Sequence, residues 1–149
     1  MPGNTTIDDT LIRRHGQAWV ALTLALAVHV ADEALTDFLS FYNPMVTSLR
    51  ERIGWFPMPT FTLDVWLTGL ITVVIVLLLL SVLVFRGSRV MVYLSFPYGL
   101  LMLLNGLGHS VGSIYFGRLL PGVYSSPLLL AASVWLLLCA VRRQGPLAT

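Results

Sequence analysis

Charge is scarce in this chain. Only 11% of its residues are charged, against 56% hydrophobic, whereas a soluble domain carries about 25% charge. So little polar surface cannot cover the apolar side chains in water, which leaves lipid as the solvent. Lysine is absent altogether, and every basic residue is arginine. The arginines stand mostly in pairs at the ends of apolar runs, and the net charge is only +2. That pattern argues against a nucleic-acid surface, and no nucleic-acid partner is expected. Cysteine is reduced to Cys139, which excludes an internal disulfide and any multi-thiolate metal site within one chain. Internal repeats are also missing, and the only compositional bias is the leucine-rich character of the apolar runs.

What the chain has instead is length without charge. A membrane-spanning helix needs roughly 20 mostly apolar residues. Stretches of that kind lie at about 18–39, 64–85, 90–116 and 123–141. They predict an all-α, four-helix transmembrane bundle over 18–141, preceded by a segment 1–17 and followed by a tail 142–149. His15 falls before the first span and reads as solvated. Arg13 and Arg14 ahead of an apolar stretch, with Ala25-Leu26-Ala27 within it, resemble a cleavable signal. The acids that follow make better sense as part of a retained helix. That first span carries His29, Asp32, Glu33 and Asp37. An acid at the centre of a lone helix costs about 2.5–3.5 kcal/mol on insertion scales, so the span needs its neighbours.

Four spans put the N-terminus, the second loop and the C-terminus on one side, with Arg13, Arg14, Arg86, Arg89, Arg142 and Arg143. Arg50, Arg52 and Arg118 fall on the other. The excess places both termini in the cytoplasm of a multi-pass cell-membrane protein. Trp19 and Tyr93 then fall near the inner interface, and Tyr42, Trp55, Trp66, Tyr115 and Tyr124 near the outer one. In the first loop, Asn43 can cap a helix, Pro44 suits its first position and Gly54 can end it. Met45, Val46, Leu49 and Ile53 recur at helical spacing between them. This predicts a short interfacial helix, either a plain connector or a lid over the bundle. Pro97 predicts a kink in the third span, and Pro121-Gly122 a turn before the fourth.

Positions three and four apart share a helix face. His29, Asp32, Glu33 and Thr36 therefore form one polar stripe, with Asp37 at its edge. Asn105 and His109 form a second stripe in the third span. Gly108 and Gly112 lie beside it and would let another helix approach closely; they could also serve a homo-oligomer. The helical rise of about 1.5 Å per residue puts both stripes at overlapping depth, from the midplane into the outer half. Two mechanisms fit them. In one, His29, Glu33 and His109 bind a divalent metal, with Asp32 and Asn105 beside or behind them; imidazole plus carboxylate suits Zn²⁺, Fe²⁺ or Mn²⁺. In the other, His29 and Glu33 are an acid/base pair tuned by burial, His109 completes it, and Asn105 orients a substrate. A structural cluster paired with Arg118 is a third reading, and haem held by His29 and His109 a fourth, which the nearby carboxylates fit poorly.

The ordered set His29-x-x-Asp32-Glu33, Asn105-x-x-x-His109 and Pro121-Gly122 resembles the HXXEE-domain family of small bacterial membrane proteins. The resemblance covers nearly the whole chain and implies this architecture and site rather than a reaction. The chain departs from the motif at Asp32, where the family name implies Glu; this keeps the charge but shortens the reach. A looser likeness, in His-x-x-x-Glu with a distant Asn inside a membrane bundle, is to the emopamil-binding sterol isomerases, which stabilise a carbocation. Together these features lead to the expectation of a membrane-embedded enzyme of isomerase, cyclase or hydrolase type. It would act on a lipid or isoprenoid-like substrate from within the bilayer, with catalytic His29, Glu33, Asn105 and His109 and metal ligands His29, Asp32, Glu33 and His109. The alternatives are a protein that binds or transports a cation or small ligand, and an accessory subunit.

Overall fold

The computed structural model describes residues 3–144, with side chains from residue 8 onward. Of the expected tail 142–149, residues 145–149 lie outside the described residues. The described chain is all-α, with no strand. Its helices are α1 (Gly3–Leu35), α2 (Phe38–Ile53), α3 (Leu63–Phe85), α4 (Arg89–Phe116) and α5 (Ser126–Gln144). All but α2 are long and apolar enough to cross a membrane.

The long helices associate in the spatial order α3, α1, α5, α4, each packing mainly on its neighbours in that row. Between α1 and α5 lies the core: Trp19, Leu22, Ala25, Leu26, Leu129 and Leu136 are buried there. The Trp19 indole donates to the Leu77 carbonyl of α3 at 2.9 Å and its ring lies 5.0 Å from that of Tyr98, so one side chain ties three helices. Apart from Trp66 and Val84, α3 buries little of itself.

Close approach of α4 to α5 occurs at Gly99 and Gly106. A Cβ at Gly106 would meet Leu130 at 3.0 Å and the Ser126 carbonyl at 3.3 Å. The expected pair, Gly108 and Gly112, does not do this. Gly108 has nothing within 4 Å, and Gly112 faces Leu120 of the following loop. The reason is rotational: α5 covers the face of α4 that carries Gly99, Met102 and Gly106, and Gly108 lies off that face. Helix α4 runs unbroken through Pro97.

Three further expectations are corrected. The segment before the first span is helical from Gly3 and continuous with it. His15, read as solvated, is fully buried, because Ser95 of α4 and Arg143 of α5 both reach its ring. The first helix stops at Leu35 rather than near 39, and α2 starts at Phe38 instead of at Pro44. The break between them is made by Asp37, whose φ of 58° is left-handed. Its carboxylate accepts from Ser40 at 2.5 Å, local bonding of the kind that lets Asp adopt this region. Asn43 is therefore inside α2, where its side chain bonds the Phe61 carbonyl at 2.9 Å and the Phe61 amide at 3.1 Å. With Tyr42 donating to the Pro59 carbonyl at 3.0 Å and Arg50 to that of Met58, these bonds bind the 54–62 loop to α2. Gly54 ends α2 as the sequence suggests, with φ 74°.

Candidate metal centre

The site lies at the end of the bundle that carries α2 and the α4–α5 loop, where α1, α4 and the start of α5 converge. His29 and Glu33 come from successive turns of α1 and His109 from α4, so the two polar stripes do meet. One atom each of His29, Glu33 and His109 lies within 4.8 Å of the others. The Glu33 Oε1 is 3.1 Å from His109 Nε2 and 3.7 Å from His29 Nε2. The imidazoles stand edge to face with centroids 4.8 Å apart. His29 is fully buried, Glu33 nearly so, and His109 slightly open.

The protons of this cluster can be assigned from its bonds. Ser125 sits where the chain enters α5. Its amide and its hydroxyl both bond Asp32 Oδ2, at 2.9 and 2.7 Å. A carboxylate only accepts, so the single hydroxyl proton of Ser125 goes to Asp32. The same Oγ is 2.8 Å from His29 Nδ1 and must then accept from it. The Gly122 carbonyl, 3.2 Å from the same Oγ, is likewise only an acceptor, so with either partner the proton of a neutral His29 is on Nδ1 and a lone pair is left on Nε2. This Nε2 is buried and has no hydrogen-bond partner. Buried polar atoms are rarely left so. A neutral imidazole with its outer nitrogen hydrogen-bonded and its inner one bare, aimed at a carboxylate and a second imidazole, is the arrangement of a metal-binding histidine.

Asp32 thus stands behind His29, joined to it through Ser125, and does not enter the trio. Asn105 is half-buried and lies one turn from His109 on the same side of α4. Asp37 turns away to Ser40, and Thr36 back-bonds to the Asp32 carbonyl at 2.6 Å. Arg118, the expected partner of the acids in a structural cluster, instead extends over the Phe41 ring at 6.0 Å and pairs with no acid among the described residues. The two ion-pair contacts among the described residues both involve Glu33 and a histidine.

Two neighbours close the site. Phe38, the first residue of α2, lies 5.8 Å from the His109 ring, stacks with Tyr42 and packs at a tilt on Trp66, which makes an aromatic roof. Gly122 lies against the rings from the loop side. A Cβ there would be 2.9 Å from His109 Cε1 and Nδ1 and 3.0 Å from His29 Cε1. Its φ of 83° is likewise open to glycine and strained for other residues.

Sequence reading missed Ser125, and it took Pro121-Gly122 for a turn and a part of the family pattern, not for a wall of the site. The available signal was Ser125-Ser126-Pro127, a cap sequence at a helix start. It gave no hint that the Ser125 hydroxyl would link two residues of α1. Replacing Ser125 by alanine is expected to leave His29 Nδ1 without its acceptor, at a cost of about 1–3 kcal/mol. It should also weaken divalent-metal affinity by about 10–100-fold, as read by competition with a chromogenic chelator.

A protein-family model described as a protein of unknown function with HXXEE motif matches residues 19–136. No curated protein and no solved structure matches the chain.

Proposed function

The chain belongs to the HXXEE family, and we propose that it is a membrane-embedded enzyme that uses a divalent metal held by His29, Glu33 and His109 to act on a lipid or isoprenoid-like substrate. The observation that carries this reading is the buried, unpartnered Nε2 of His29, facing Glu33 and His109. Two imidazoles and one carboxylate suit Zn²⁺ and, with more open positions, Fe²⁺ or Mn²⁺. Three protein ligands leave a position for water or substrate, the arrangement of catalytic rather than structural sites. Asp32 and Ser125 would hold His29 in orientation, and Asn105 would meet the substrate.

Access supports an apolar substrate. Helices α3 and α4 are neighbours in sequence yet make few contacts with each other, and Leu101, one turn before Asn105 on the same side of α4, is exposed. A hydrophobic molecule could reach the half-buried Asn105 from the bilayer without crossing water. A second reading, acid/base catalysis without metal, is favoured by the 3.1 Å contact between Glu33 and His109, which is also the geometry of a proton-sharing pair.

The test compares membrane lipid and isoprenoid extracts incubated with the parent and with Glu33→Gln, followed by mass spectrometry. We expect a species consumed by the metal-loaded parent alone. Turnover that survives chelation moves the chemistry to the acid/base pair. Bound metal with no turnover of any lipid points to the cation-binding class.

In the orientation we propose, the termini are cytoplasmic and the metal centre lies in the outer half of the bilayer, because the arginines gather at the opposite end. Reporter fusions check this. A fusion at Arg143 should be active only as a cytoplasmic reporter, and one near Glu51 only as a periplasmic one; the reverse pattern overturns the orientation.

A further inference from the structure

At the far end of the bundle from the metal centre lies a cavity of about 530 Å³. It is bounded by the start of α1, the α3–α4 turn, the start of α4 and the end of α5. Its polar wall carries Arg89, Arg142 and Arg143, with Asp8 the one acid. No carboxylate comes within ion-pair range of these guanidiniums among the described residues. Three cations around one cavity, with a single acid to offset them, attract an anion.

Arg143 is built into place. Its Nη2 donates to the Gly87 carbonyl at 2.9 Å and its Nη1 lies 3.0 Å from His15 Nδ1. A guanidinium only donates, so His15 accepts at Nδ1 and carries its proton on Nε2. That proton goes to Ser95 Oγ at 2.8 Å, and Ser95 passes its own to the Met91 carbonyl at 2.8 Å. His15 and Ser95 are fully buried. This chain of bonds runs from the cavity into the helix packing and fixes the guanidinium before any ligand arrives. It gives the buried His15 a role that the metal centre does not use.

We infer that this cavity binds the phosphate of an anionic phospholipid headgroup. Planar guanidiniums match phosphate oxygens in pairs. The rest of the lining includes Leu11, Ile12 and Val92, an apolar wall beside the cations, so the occupant is amphipathic. If the long helices span the bilayer, the cavity also lies where headgroups lie. The site is independent of the metal centre and of its chemistry.

The full chain in detergent is titrated with phosphatidylglycerol, phosphatidylcholine or inorganic phosphate, and its melting temperature is read. Phosphatidylglycerol should raise it saturably. Phosphatidylcholine should not, because its choline brings a cation among the arginines. Inorganic phosphate should need concentrations more than about tenfold higher, since it buries no acyl chain. Arg89→Gln/Arg142→Gln, altered at two exposed positions, should lose the response, whereas Arg13→Gln/Arg14→Gln, equal in charge and at the same end, should keep it. A response that persists in the first variant or vanishes equally in both overturns the site in favour of diffuse attraction. Inorganic phosphate acting as strongly as the lipid overturns the headgroup as its occupant. Should the first variant not accumulate, native mass spectrometry of the parent with equal amounts of the two lipids decides, and absence of a preference for phosphatidylglycerol overturns the proposal.

Discussion

Zn²⁺ added to metal-free protein at about a hundredfold over its dissociation constant is expected to raise the melting temperature by roughly 5–10 °C, since ligation at that level contributes about 2.7 kcal/mol. Chelation should reverse the rise. The same titration of Glu33→Gln and of His109→Ala should move nothing, because each removes one of the three convergent donors. Both variants should nonetheless fold. Glutamine at position 33 removes a buried carboxylate and its desolvation cost, and alanine at 109 empties a position on the slightly open side of the site. The contrary outcome is equally concrete. If neither variant accumulates and the parent ignores both metal and chelator, Glu33 and the histidines are there to hold α1 to α4, and the chain belongs to the accessory class.

The second large effect is expected at Gly122. Alanine there adds a Cβ within 3.0 Å of both imidazole rings and forces a side chain onto a φ of 83°. Left-handed backbone at a residue other than glycine costs of order 1–3 kcal/mol. The rings cannot yield freely, because Ser125 holds His29 from behind and Glu33 holds His109. We expect the loop to shift, the Ser125–Asp32 bonds to break, and metal affinity to fall by more than about 100-fold, the upper range for loss of an orienting partner. Chelator competition reads the affinity and thermal melting the strain. Gly122→Ala with parental metal affinity would show that the rings are not fixed where the loop meets them.

Residue by residue, the two sides of the site differ in how far the sequence revealed them. His29, Glu33 and His109 were legible because their spacing follows from the helix repeat and because lipid offers such groups no other partner. The long apolar runs were legible for the same reason of solvent. Ser125 and Gly122 were not, since a serine before a helix and a glycine after a proline have ordinary local roles, and only packing brings that loop onto α1. His15 was misplaced because a polar residue just after two arginines looks solvated until α4 and α5 are seen to cover it. Asp37 ended α1 early for a reason no periodicity carries: a left-handed residue that bonds its own neighbourhood interrupts a pattern that is otherwise helical on both sides. The glycine pair at 108 and 112 failed as a packing site within the chain because spacing along a helix says nothing about which face its neighbour chooses.

The bond from Ser125 to Asp32 also sets an order of events during synthesis. Helix α1 leaves the ribosome first, carrying His29, Asp32 and Glu33, while the groups that complete them lie in α4 and at the start of α5. Until residue 125 has been made and its turn has docked, Asp32 lacks both of its donors and His29 its acceptor. The polar face of the first helix is therefore completed only by residues made after most of the chain. A chain interrupted before α5 would keep the packing of α1 on α3 but leave Asp32 and His29 without these partners.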